Sequence, residues 1–118
     1  MPELPPVEDP DHYFMEWLPA QLAPHDALSA RLGTAGEIAQ IELSGARGGV
    51  WHFSLADGRV AFVRGPHASP SFVILMSVDT WRDLTLEKIS AAGAWVRRKI
   101  KTRGSLRAMM RVGRLFNA

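Results

Sequence analysis

Apolar residues fall at helical spacing from Asp11 to Leu32, where Tyr13, Phe14, Trp17, Leu18, Leu22, Leu28 and Leu32 recur on one face. Pro19 and Pro24 interrupt that face, and a proline ring removes an amide donor and collides with the preceding turn. The pattern therefore predicts two short helices or one kinked helix. Beyond Gly33 and Gly36 the spacing changes to two. Ala39, Ile41 and Leu43 share one side of a strand over Glu37 to Leu43, and Trp51, Phe53 and Leu55 share one side of a second over Val50 to Ala56. Gly45 to Gly49 joins them as a hairpin loop. Asp57-Gly58, a dipeptide suited to turns that need positive φ at both central residues, predicts a hairpin to a third strand over Arg59 to Arg64.

Gly65 to Pro70 reads as a loop, and the chain reads as a meander through the strand-like run that follows it, Phe72 to Met76. Phe72 to Met76 is apolar at every position, which predicts a fourth strand buried on both faces or near the sheet centre. Ser77 or Asp79 is placed to cap a helix carrying Trp81 and Leu84, and Thr85 to cap another carrying Leu86 and Ile89. Arg97 to Thr102 alternates again as a charged edge strand. Gly104-Ser105 then stops it and caps a last amphipathic helix with Leu106, Met109, Met110, Gly113 and Phe116 on one side and Arg107, Arg111 and Arg114 on the other. The expected fold class is α+β, a five-stranded mostly antiparallel sheet covered by helices on one face.

A chain of 118 residues matches one domain with one core, here expected over 11–118, with residues 1–10 as a flexible proline-rich and acidic lead-in. That lead-in lacks the basic and apolar blocks of a secretory signal, and the longest apolar run, Phe72 to Met76, is far shorter than the ~20 residues a membrane span needs. With no cysteine there is nothing to call for an oxidising compartment, and the expected location is cytoplasmic. The net charge of +2 hides an asymmetry: residues 1–78 carry nine acidic and four basic side chains, and residues 79–118 three and ten.

The order and spacing of several segments resemble the sterol carrier protein type 2 family. They are Gly49-Val50-Trp51-His52-Phe53 leading to Asp57-Gly58, Phe72 to Ser77 followed by Asp79-Thr80-Trp81 and Leu84, Ala94-Trp95, Lys99 to Ser105, and Leu115-Phe116. They cover roughly Leu28 to Phe116. The resemblance implies a five-stranded sheet with helices over one face, a hydrophobic tunnel for fatty acids, fatty acyl-CoA, sterols or other lipids, and no catalytic residues. Two departures stand out. Arg98 occupies the place of a glycine usual before the fifth-strand lysine, and the glycine and proline that often separate the helices before Trp95 are not evident around Thr85 to Ser90. The chain's final Phe116-Asn117-Ala118 is not a peroxisomal address.

Candidate tunnel residues are Trp17, Leu18, Phe53, Ile74, Met76, Trp81, Leu84, Trp95, Met109, Val112 and Phe116, and the competing reading of each is plain core. A dry cavity of ~300 Å³ would cost on the order of 7 kcal/mol, which favours a tunnel that is filled or collapsible. Arg97, Arg98, Lys99, Lys101 and Arg103 are candidates for headgroup or membrane contact, against a merely solvated face; nucleic acid fits less well because no aromatics are interleaved with them. His12, His25, His52 and His67 are scattered without metal-ligand spacing, and no serine sits in a nucleophile elbow, so neither metal, cofactor nor catalytic residue is expected. The expected function is non-catalytic binding or transfer of an apolar ligand, with an isoprenoid-type lipid among the options. The alternative is an accessory protein of a lipid or isoprenoid-quinone pathway that presents substrate to a partner enzyme. Oligomeric state is open, since an apolar patch on the terminal helix would equally suit a dimer.

Overall fold

The computed structural model describes residues 5–23, 27, 30–31, 34 and 36–117, with side chains described as far as Val112. Pro24, His25, Leu28, Leu32 and Gly33 lie outside the described residues, as do the side chains of Arg114 and Phe116. The helical start comprises α1 (Pro10–His12), a π-helical turn (Tyr13–Trp17) and α2 (Leu18–Leu22). Asp9 caps it by accepting a hydrogen bond from the His12 amide. The interruption expected at Pro19 takes the form of the π turn just before it, closed by the Leu18 amide on the Tyr13 carbonyl, so the chain stays helical through the proline. Within the stretch read from sequence as lead-in, Val7 packs on the core and its carbonyl accepts from Arg82.

Five strands follow the helical start, β1 (Glu37–Ser44), β2 (Gly49–Ala56), β3 (Arg59–Arg64), β4 (Phe72–Ser77) and β5 (Lys101–Gly104), in the order β3-β2-β1-β4-β5. The β2–β3 turn is as expected, with Asp57 and Gly58 at φ 58° and 74°. The meander, however, ends at β3. β4 pairs with β1 in parallel, and the other three pairings are antiparallel. Residues 65–71 make the crossover above the Gln40 and His52 side of the sheet. The His67 amide donates to Gln40 Oε1 (2.9 Å), the Ile38 amide donates to Ser71 Oγ (2.8 Å), and the Ser71 amide donates to the Ile38 carbonyl (2.8 Å). These bonds satisfy the backbone of a loop that has to lie on a sheet.

Strand pairing assigns the faces. Ala39, Ile41, Leu43, Trp51, Phe53, Leu55, Val60, Phe62, Phe72, Ile74 and Met76 all share one. The helices cover this face, with Phe14, Leu43, Trp51, Val78 and Trp81 as its buried centre. Phe14 is the keystone, its ring 5.0 Å from Trp51, 5.6 Å from Phe53 and 5.8 Å from Trp81. Phe72 and Val73 face opposite ways and both are buried, which explains the unbroken apolar run of β4.

Helix α3 (Val78–Thr85) starts at Ser77, whose Oγ accepts from the Thr80 amide (3.0 Å). Thr85 proves to be its last residue rather than the cap of another helix. The next helix, α4 (Ala91–Val96), is capped by Ser90, whose Oγ accepts from the Gly93 amide. Both helices end in the same turn. In α3, Lys88 and Glu87 amides bond back to Asp83 and Leu84 carbonyls; in α4, Lys99 and Arg98 amides bond back to Ala94 and Trp95 carbonyls. Such a turn needs a left-handed residue, and it is Glu87 and Arg98, both at φ 59°, that occupy it. A side chain there costs roughly 1 to 2 kcal/mol relative to a right-handed conformation. The turn at Arg97–Arg98 is also why the fifth strand, expected from Arg97 to Thr102, runs from Lys101 to Gly104. Gly104, at φ 85°, passes so close to β4 that a Cβ would lie 2.6 Å from the Ser71 carbonyl oxygen. Ser105 then caps α5 (Leu106–Asn117) through the Ala108 amide.

Candidate ligand site

Between α2, α5 and the far side of the covered face lies an apolar cavity of about 120 Å³, lined by Leu18, Leu22, Ala39, Phe53, Leu55, Val60, Phe62 and Val112. Ala39 and Phe53 are cross-strand partners, as are Phe53 and Phe62, and Leu55 and Val60. The floor is therefore a contiguous patch of three strands. Leu18 and Leu22, four residues apart on α2, form one wall, and Val112 of α5 contributes the other. No polar side chain is among these eight.

Two clamps hold the walls. Asp11 accepts a bidentate pair from Arg64 (2.6 and 2.7 Å) and a bond from the buried Trp51 Nε1 (3.1 Å), tying the first helix to β2 and β3. The hydrogen bonds from Arg64 and then Trp51 hold the Asp11 carboxyl below its ordinary pKa. On the other wall Arg111 donates to Glu37 at 2.7 Å, pinning α5 to the start of β1. Burial raises the Tyr13 phenol above its usual pKa, consistent with its ring lying between Trp17 and Trp81 at 5.1 Å from each. Trp17 Nε1 is buried without a hydrogen-bond partner, and a donor so placed favours any acceptor brought to it.

Of the residues singled out from sequence, Leu18, Phe53 and Val112 come together at the cavity. Trp17 stacks on Tyr13 one residue before the cavity wall. Trp81 sits 4% exposed in the core beside Phe14, and Met76 packs against the same cluster. Ile74 is half-buried on the covered face, Leu84 on α3 and Met109 on α5. Trp95 is on the surface. Leu22, Ala39, Leu55, Val60 and Phe62 line the cavity without having been singled out. The signal for four of them was the two-residue alternation itself, which places Ala39, Leu55, Val60 and Phe62 on the face of Phe53 once the hairpins are in register.

The basic candidates gather elsewhere. Arg97, Arg98, Lys99 and Lys101 are exposed at and beyond the end of α4. Lys101 and Arg103 point to the face opposite the cavity from β5, where Arg103 pairs with Glu42 at 2.8 Å. β5 stands two strands from β1, or about 10 Å at the usual strand spacing. No described helix is long and apolar enough to cross a membrane, and no group of three metal-ligating side chains occurs among the described residues.

The fold has known counterparts. The sterol carrier protein domain 2 of Helicoverpa armigera superposes with a TM-score of 0.70 at 19% identity, covering 95% of this chain and 89% of that one. Sterol carrier protein 2-like 2 of Aedes aegypti gives 0.64 at 16% (84% and 93% covered), and its palmitated form 0.55 at 16% (82% and 94%). Apo sterol carrier protein 2 of Yarrowia lipolytica gives 0.58 at 22% (85% and 80%). No curated protein matches the chain. The model of the SCP-2 sterol transfer family matches residues 16–117, nearly the whole molecule, and the chain belongs to that family.

Proposed function

We propose that the protein binds one apolar chain, of the fatty acid, fatty acyl-CoA, sterol or isoprenoid class, in the cavity beneath α2 and α5, and carries it without chemical change. The observation that supports this most directly is a wall of eight side chains without a polar group, in a family of sterol and lipid binding or transfer. The palmitated relative shows that a protein of this fold holds such a ligand. At about 120 Å³ the space is below the ~300–1,000 Å³ of ordinary ligand pockets, so a full-length guest has to widen it. Each buried methylene then contributes ~0.8 kcal/mol.

Filling the space separates this reading from plain core. Ala39→Leu places a larger side chain at the cavity floor. With a real binding cavity it lowers the affinity for a fluorescent fatty acid at least tenfold and keeps or raises Tm. An overpacked core would instead lose ~1–3 kcal/mol, and an unchanged affinity would refute the site. Mass spectrometry of an organic extract of the purified protein names the natural ligand; recovery of a stable enzyme complex in place of a stoichiometric lipid would support the presenting role instead.

A further inference from the structure

We propose that the end of α4 and the turn into β5 form a docking surface for anionic lipid bilayers, with Trp95 and Val96 entering the interface and Arg97, Arg98, Lys99 and Lys101 meeting the headgroups. Only Ala94 anchors α4 deeply, at 1% exposure; the two large apolar side chains after it are turned outward, Trp95 47% and Val96 79% exposed. Trp95 and Val96 edge an open groove together with Arg98, Ile100, Lys101 and Thr102. Leaving a tryptophan and a valine in water forgoes their burial, and a tryptophan with cations beside it is suited to the boundary between headgroups and acyl chains.

Among the described residues the four cations make no ion pair, and the acidic side chain that shares a groove with Lys99 and Lys101, Glu42, is itself paired with Arg103. No acidic residue follows Glu87 in the sequence, and none of the ion pairs among the described residues involves Arg97, Arg98, Lys99 or Lys101. Arg98 adds a second argument. Its left-handed conformation (φ 59°) is one that glycine adopts without strain, so the fold gains nothing from an arginine there. Glu87, in the matching turn of α3 with the same φ, is an internal control of opposite charge. A bilayer fits better than nucleic acid because exposed apolar side chains share the surface with the cations.

The docking goes beyond the ligand reading and is tested on the full chain with no apolar ligand added, so its failure leaves the cavity untouched. Partition is measured into phosphatidylcholine vesicles with and without phosphatidylserine over a salt series. Binding is expected to require phosphatidylserine and weaken with salt, with about fivefold lost for each basic side chain removed. Arg98→Gly is expected to raise Tm and lower partition about fivefold, while Glu87→Gly raises Tm without lowering partition. Val96→Asp lowers partition strongly at unchanged Tm, and Trp95→Ala removes the blue shift of tryptophan emission on vesicles. Equal partition into neutral vesicles, indifference to Val96→Asp, or parallel behaviour of the two glycine variants would overturn the proposal. So would a DNA duplex that binds more tightly than the vesicles and is insensitive to Val96→Asp.

Discussion

Trp81 and Trp95 both sit on short helices after β4, yet one is 4% and the other 47% exposed. Trp81 belongs to an eight-residue helix that also buries Val78 and Thr80. Trp95 belongs to a six-residue helix whose one buried residue, Ala94, precedes it, and the chain then turns away through Arg98. The same side chain thus serves the interior in one place and meets solvent beside four cations in the other. The difference shows that an aromatic residue's role here follows from how much of its helix has a sheet to lie on.

Trp81→Ala and Trp95→Ala sharpen that contrast most. The first is expected to cost ~3–5 kcal/mol in chemical denaturation and the second within about 0.5 kcal/mol; similar losses would erase the distinction. Saturating fatty acid, at about a hundredfold excess over Kd, should stabilise the protein by ~2.7 kcal/mol through the cavity, and by the same amount in Trp95→Ala. Glycine at Glu87 or Arg98 should add about 1 kcal/mol each, read as a higher unfolding midpoint.

The smallest expected effect concerns the clamp on the cavity side. Asp11 has a lowered carboxyl pKa in the folded state, so its contribution is fully present above the ordinary aspartate value of ~4 and is lost as pH falls through the folded value. Asp11→Asn should therefore be less stable than the parent at neutral pH, and the two unfolding midpoints should converge in acid. A constant gap across that range would assign Asp11 no such role.

Much of this fold could be read from the period of the apolar positions. The hairpin at Asp57-Gly58, the burial of β4 on both faces and the caps at Ser77 and Ser105 are written in short stretches of the chain, and local chemistry determines them. What escaped was decided at a distance. The parallel pairing of β4 with β1 depends on the crossover of residues 65–71 finding Gln40 and Ile38, partners more than twenty residues away. The ends of α3 and α4, and with the latter the start of β5, depend on Glu87 and Arg98 taking left-handed turns more usual for glycine. Of the cavity, Leu18 and Phe53 were legible as apolar faces of their elements, whereas Val112 lies off the face of Leu106, Met109, Met110, Gly113 and Phe116 read for the last helix, of which Leu106 and Met110 are 54% exposed. Val60 and Phe62 are obscured in the sequence because the strand that carries them is bounded by Arg59 and Arg64.

Titration of isotope-labelled protein with palmitate, followed residue by residue by NMR, tests the central claim most directly. Saturable shifts at one equivalent, concentrated on Leu18, Leu22, Phe53, Val60 and Val112, are the predicted result. Shifts that never saturate, or that gather around Trp95 and Lys101 while the cavity residues stay still, would contradict it.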